Sequence, residues 1–181
     1  MKIIEWLEKS PIINKNGYSY VIHPITDGIP YIEPDLLEEI VDEIAKKMPK
    51  VDKIVTMEAM GIPIATALSL KTGIPFNIIR KRKYGLDGEI EVKQKTGYSE
   101  SNLYINGLKE GESIIIVDDV VSTGGTLKAV VEALKNFVNI KGIFIAIGKG
   151  NKEEIERQIG MEINTMVNIR VNGNEIEILR D

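Results

Sequence analysis

Apolar positions recur along this chain in two distinct rhythms. Between Pro34 and Pro49 they fall at Leu36, Leu37, Ile40, Val41 and Ile44, which line one face of a helix. Ile3, Ile4 and Leu7 place a shorter amphipathic helix within residues 1–10. Further helices are predicted over 61–71, where Gly73 stops the pattern, over Leu127 to Phe137 and over Asn151 to Gln158. Dense β-branched runs predict strands at 53–57, 75–79, 113–117, 142–147 and 164–171, the last leading into a hairpin at Asn172-Gly173. Residues 11–34 hold four of the seven prolines and read as irregular chain, with one strand from Tyr18 to Ile22. From Arg80 to Tyr104 the chain is polar and carries Gly85, Gly88 and Gly97, so it reads as a loop.

Strands alternating with helices predict an α/β fold with a mostly parallel central sheet flanked by helices. A chain of 181 residues suits one domain, 1–181, and shows no repeats or linkers. In such folds ligands sit beyond the carboxyl ends of the strands. Three loops are expected there: Glu58 to Gly61, Arg80 to Lys83 and Asp118 to Thr126.

Composition narrows the chemistry. The absence of cysteine excludes disulfides, a thiolate nucleophile and a zinc-thiolate site. His23 is the single histidine, which excludes a multi-histidine metal centre, and it reads as a structural residue. The formal net charge of -4 argues against general nucleic-acid binding. Charged residues interrupt the first ten positions, and no later run is long enough to span a membrane, so a cytoplasmic protein is expected.

The most informative stretch is Ile114-Ile-Ile-Val117-Asp118-Asp119-Val120-Val121-Ser122-Thr123-Gly124-Gly125-Thr126. A buried strand, a small hydroxyl-rich turn and a helix start follow one another. A helix N-terminus offers unpaired N–H groups and partial positive charge, which suit a phosphate. Gly124 and Gly125 allow close backbone approach, and Ser122, Thr123 and Thr126 add hydroxyl donors. A carboxylate beside a phosphate repels it unless it faces another part of the ligand. Asp118 and Asp119 suit the neighbouring hydroxyls of a ribose, so the ligand expected is a ribose 5-phosphate moiety. Positive charge for a phosphorylated ligand is available from Arg80-Lys81-Arg82-Lys83, with Lys93 and Lys95 nearby.

This segment resembles the signature of the type I phosphoribosyltransferases, which bind phosphoribosyl pyrophosphate. The resemblance implies that family's fold, with a small hood built from about 1–34 and the C-terminal segment and a flexible loop over about 81–104. It implies that Asp118 and Asp119 hold the ribose hydroxyls, that residues 122–126 cradle the 5′-phosphate, and that Mg²⁺ bridges pyrophosphate oxygens and ribose hydroxyls, with Asp118 and Asp119 as its protein ligands, directly or through water. Glu58-Ala59-Met60-Gly61 matches the family's pyrophosphate loop, where a non-proline cis peptide is common and adenine-specific members carry an arginine in place of Met60. Arg80, Lys81 and Lys83 then contact pyrophosphate. Lys149 matches a lysine that donates to the base O6 in 6-oxopurine members. Gly97 precedes Tyr98 where adenine enzymes place a glutamate, and Ser122 stands where mammalian-type enzymes place a third aspartate. No proton donor or acceptor is therefore assigned, and Glu100 is a candidate.

The whole pattern is most similar to archaeal hypoxanthine/guanine members, with adenine or xanthine transferases as alternatives. The expected partners are phosphoribosyl pyrophosphate, a purine base and a second copy of the chain, with no nucleic acid or membrane. A regulator that senses phosphoribosyl pyrophosphate is the alternative of another class.

Overall fold

The computed structural model describes residues 1–96 and 99–179, with the side chains at 95–100 outside the description. Gly97 and Tyr98, and the side chain of Glu100, therefore lie outside the described residues. In chain order the elements are α1 (Lys2–Lys9), β1 (Ile12–Lys15), β2 (Tyr18–Val21), α2 (Pro24–Asp27), α3 (Pro34–Lys47), β3 (Lys53–Met57), α4 (Gly61–Thr72) and β4 (Phe76–Ile79). There follow β5 (Ile90–Thr96), β6 (Ser99–Ile105), β7 (Ser113–Val121), α5 (Gly125–Leu134), β8 (Asn139–Lys149), α6 (Lys152–Ile159), β9 (Asn164–Asn172) and β10 (Glu175–Leu179).

Six strands form the central sheet in the order β10-β9-β8-β7-β3-β4. All neighbours are parallel except the β9–β10 hairpin at one edge. The sheet is buried on both faces, which explains the unbroken apolar runs of its central strands. Along β7 the residues alternate between two cores. Ile114 and Ile116 pack with Leu127, Val130, Val131 and Leu134 of α5, while Ile115 and Val117 pack with Ile64, Ala65 and Leu68 of α4 and with Leu36 and Ile40 of α3. Ile3 and Leu7 of α1 join the second core.

The structure departs from the sequence reading at several elements away from the acidic pair, and the short α2 within 11–34 is one of them. Residues 11–21 form a hairpin rather than irregular chain with one strand, because Asn16 (φ 53°) and Gly17 (φ 76°) make a two-residue turn between β1 and β2. The stretch read as a polar loop carries the β5–β6 ribbon, with Val92 and Leu103 paired and buried against the first core. The helix after the glycines spans Gly125–Leu134 and so starts and stops earlier than expected. Phe137 lies beyond it, where Phe137 N and Val138 N both donate to Leu134 O in a closing turn.

His23 is fully buried at the N-cap of α2. Its Nδ1 accepts from Ile25 N, so Nε2 carries the proton and donates to Ile3 O at 3.2 Å. The ring ties α1 to the segment beside the sheet, in line with a structural role.

Candidate active site

The chain diverges between β3 and β7. From β3 the path runs through α4 to β4 on one side, and from β7 through α5 to β8 on the other. The two helices cover opposite faces. A crevice opens at such a switch point, flanked by the loops after both strands.

β7 does not end before the acids. It continues to Val121 and pairs Asp118 with Ile145, Val120 with Ile147 and Val121 with Gly148 of the long β8. The turn thus begins at Ser122, and Asp118 and Asp119 sit on a rigid strand instead of a loop. Asp119 is only 8% exposed. Burial pushes the Asp118 carboxyl well above the usual carboxylate range, and the adjoining Asp119 adds to the effect. Burial also raises Asp119, with the Asp27 carboxylate contributing a smaller push. Asp118 Oδ1 accepts a hydrogen bond from Asp119 N at 3.0 Å.

Gly124 caps α5 in the left-handed region at φ 79° and abuts the Ile155 side chain, so glycine is needed there for both conformation and space. The first backbone bond of α5 runs from Lys128 N to Gly124 O, which leaves the N–H groups of Gly125, Thr126 and Leu127 ahead of it as donors. Thr123, Gly125 and Thr126 are exposed at this terminus. Ser122 Oγ lies 3.0 Å from the Tyr18 hydroxyl, and Thr126 Oγ1 accepts from the Gln94 amide of the β5–β6 ribbon.

Across the crevice the Glu58–Ala59 peptide is cis, as the family resemblance implied. Glu58 Oε1 accepts from Lys81 N at 2.6 Å and Arg80 Nε at 3.2 Å, which ties the loops after β3 and β4 together. These bonds, the Lys81 amide foremost, hold the Glu58 carboxyl below its usual range. Met60 is the N-cap of α4, and its methyl reaches toward Gly28 beside α2. Gly61 packs against Thr56 and Asp118 without room for a side chain. Lys83 is exposed near Glu89, with no ion pair or hydrogen bond to the Glu58 loop among the described residues.

Lys149 ends β8 and turns its ammonium toward the β1–β2 hairpin. Nζ donates to Ser19 O at 2.7 Å and lies 4.5 Å from the Tyr18 ring centre and 5.9 Å from that of Tyr20. A cavity of about 650 Å³ lies here, with Tyr18, Tyr20, Asp27, Asp119 and Lys149 among its lining residues. That size is in the range of small-molecule sites. At Gly150, φ 130°, the backbone approaches Ser122 O so closely that the turns after β7 and β8 form one wall.

Sequence reasoning set Tyr18, Tyr20 and Asp27 within the hood segment but singled out none of them, nor Gln94, as a residue of this site. The first two had a signal, the Asn16-Gly17 turn that sets them on a hairpin; Asp27 and Gln94 had none. Among the described residues there is no group of three or more metal-ligating side chains, and no helix is long and apolar enough to cross a membrane.

Comparison with known proteins accounts for this arrangement. Residues 34–165 match the phosphoribosyl transferase domain family. A hypoxanthine/guanine phosphoribosyltransferase of Methanothermus fervidus is 52% identical over 184 residues, covering 99% of this chain and 97% of that protein. One from Methanocaldococcus infernus is 54% identical over 182 residues, covering 98% and 100%. Among solved structures, adenine phosphoribosyltransferase from Thermoanaerobacter pseudethanolicus superposes with a TM-score of 0.76 at 20% identity, over 92% of this chain and 99% of that one, a likeness of fold. With a switch-point crevice, an acidic pair ahead of a helix N-terminus and full-length relatives at half identity, this chain belongs to the phosphoribosyltransferase family.

Proposed function

We propose that the protein transfers the 5-phosphoribosyl group from phosphoribosyl pyrophosphate to hypoxanthine or guanine, giving the nucleoside 5′-monophosphate and pyrophosphate, a purine salvage reaction. The observation that carries this reading is the juxtaposition, on one strand-turn-helix unit, of a half-buried and a buried carboxylate, Asp118 and Asp119, and a run of free helical N–H groups. Acceptors and donors sit at the two ends of one sugar phosphate.

In this mechanism Asp118 and Asp119 accept hydrogen bonds from the ribose hydroxyls. Residues 122–126 hold the 5′-phosphate at the N-terminus of α5. Glu58, Ala59, Met60 and Gly61 offer backbone groups to the departing pyrophosphate, with Arg80, Lys81 and Lys83 supplying positive charge. Bond breaking at C1 of the ribose leads to an oxocarbenium-like state, and a purine ring nitrogen attacks from the opposite face. Holding both reactants in line contributes several kcal/mol, about 7–11 in well-oriented cases. The β5–β6 ribbon, anchored by Gln94, serves as the flexible cover that excludes water. Residues 1–34 and the C-terminal hairpin serve as the hood.

Mg²⁺ fits the donor set. Two adjacent carboxylates at the crevice, Asp118 half-buried and Asp119 buried, offer hard oxygen ligands. Asp118 and Asp119 would hold it, in part through water. When bound it neutralises charge on the pyrophosphate.

Lys149 favours a 6-oxopurine. Its ammonium can only donate, O6 of hypoxanthine or guanine accepts, and the adenine amino group donates. Nζ already donates to Ser19 O, and an ammonium carries three donors in all. A cytoplasmic homodimer completes the reading, and Leu70, 84% exposed on α4, offers apolar surface for it. Pyrophosphate release with hypoxanthine, guanine, xanthine and adenine tests the assignment. Turnover confined to adenine or xanthine, or none with any base, would overturn it. Mobility-shift assays with and without the donor test the regulator alternative.

A further inference from the structure

Strand β3 carries one hydroxyl into the interior beside the crevice. Thr56 is 0% exposed, and its Oγ1 has no hydrogen-bond partner among the described residues. Buried hydroxyls nearly always find one. Here the neighbours supply a reason for the exception. A Cβ added to Gly61 would overlap Thr56 Oγ1 and come within 2.8 Å of Asp118 Oδ1. The hydroxyl and the carboxylate therefore flank the same missing methyl group. Thr56 pairs with Val117 across the β3–β7 ladder, one residue before Asp118. Asp118 Oδ1 takes one bond from its own strand, from Asp119 N, and a carboxylate has room for several. An unused donor thus faces an acceptor with spare capacity, across a gap that only glycine leaves open.

We propose that Thr56 is a positioning residue for Asp118. Its hydroxyl donates to the Asp118 carboxylate when the sugar enters the crevice, and fixes the direction in which that carboxylate meets the ribose. Thr56 itself touches no reacting atom. The inference rests on the reading of Asp118 as a ribose ligand. It assigns the effect to the donor and not to the base, because Asp119, not Asp118, lines the cavity that Lys149 and Tyr20 share.

Two substitutions separate the hydroxyl from the shape. Thr56→Val keeps the branched outline and removes the O–H; Thr56→Ser keeps the O–H and removes the methyl. Thr56→Val is expected to fold with an unchanged or higher melting temperature. It should lower kcat/KM for phosphoribosyl pyrophosphate by roughly tenfold or more, as loss of a hydrogen bond to a charged group does, while KM for hypoxanthine and guanine stays within about twofold. Thr56→Ser should recover donor kcat/KM to within about threefold of wild type. Wild-type kinetics in the Val variant, or an equal loss in Val and Ser, would overturn the inference, the latter by revealing packing alone. Should the Val variant fail to fold, Thr56→Ala gives the same comparison with Ser. Wild-type protein is assayed first: no turnover with any purine sinks the functional reading and this inference with it, whereas normal turnover with an unaffected Val variant sinks the inference alone.

Discussion

At the residue scale the acidic pair sets stability against function. Both carboxyls sit above their ordinary range because burial disfavours charge. A carboxyl raised in the folded state stabilises the fold below the ordinary carboxylate range, and that stability is lost as pH rises through the folded value. At neutral pH the ionised pair therefore costs stability. Asp118→Asn should raise the melting temperature near pH 8 and flatten its decline from acid to neutral pH, while turnover falls. A pH series of thermal melts reading lower than wild type throughout would contradict this. Asp119→Ala should cut turnover by a factor of roughly a hundred or more without unfolding the chain. A variant with wild-type rate and donor affinity would refute its role. The two aspartates were legible in the sequence because charge at the end of a β-branched run stands out. The closeness of Gly61 to Asp118 was not, since a contact between the start of α4 and strand β7 depends on strand order.

At the element scale the central strands and the long helices were legible, because apolar periodicity over whole elements fixed their type. The elements built on few apolar residues were not. The β5–β6 ribbon pairs Ile90 with Ile105 and Val92 with Leu103, a period of two hidden among charged and hydroxyl side chains. The β1–β2 hairpin rests on Asn16-Gly17, a strong hairpin signal obscured by the prolines around it. That turn carries function in the proposed reading, because it sets Tyr18 and Tyr20 over the cavity and against Lys149. A β-branched residue at φ 76° is strained. Gly17→Val should therefore lower stability by about 1–2 kcal/mol and raise KM for the purine, with KM for the donor unchanged. Steady-state kinetics with each substrate varied in turn check it, and a donor-only effect would show that the hairpin covers the sugar instead.

At the scale of the whole molecule, the strand order decides where the ligand sits. Order β7-β3 places the two segments proposed to grip a phosphorylated sugar side by side, although 60 positions separate Asp118 from Glu58 in the chain. The grip spans both cores, since α4 and α5 cover opposite faces of the sheet. A ligand bridging them should stabilise the fold as a unit. Binding at a hundredfold excess over Kd adds about 2.7 kcal/mol, and a chain of this size gains about 2–4 °C per kcal/mol. Phosphoribosyl pyrophosphate with Mg²⁺ should thus raise the melting temperature by roughly 5–10 °C. Ribose 5-phosphate, which engages the β7 side alone, should give a smaller shift. Asp119→Ala should lose most of both shifts, because the sugar is then held only through its phosphate. Equal shifts from ribose 5-phosphate and the full donor would mean that the loop after β3 takes no part in binding, and the pyrophosphate would have to be placed elsewhere.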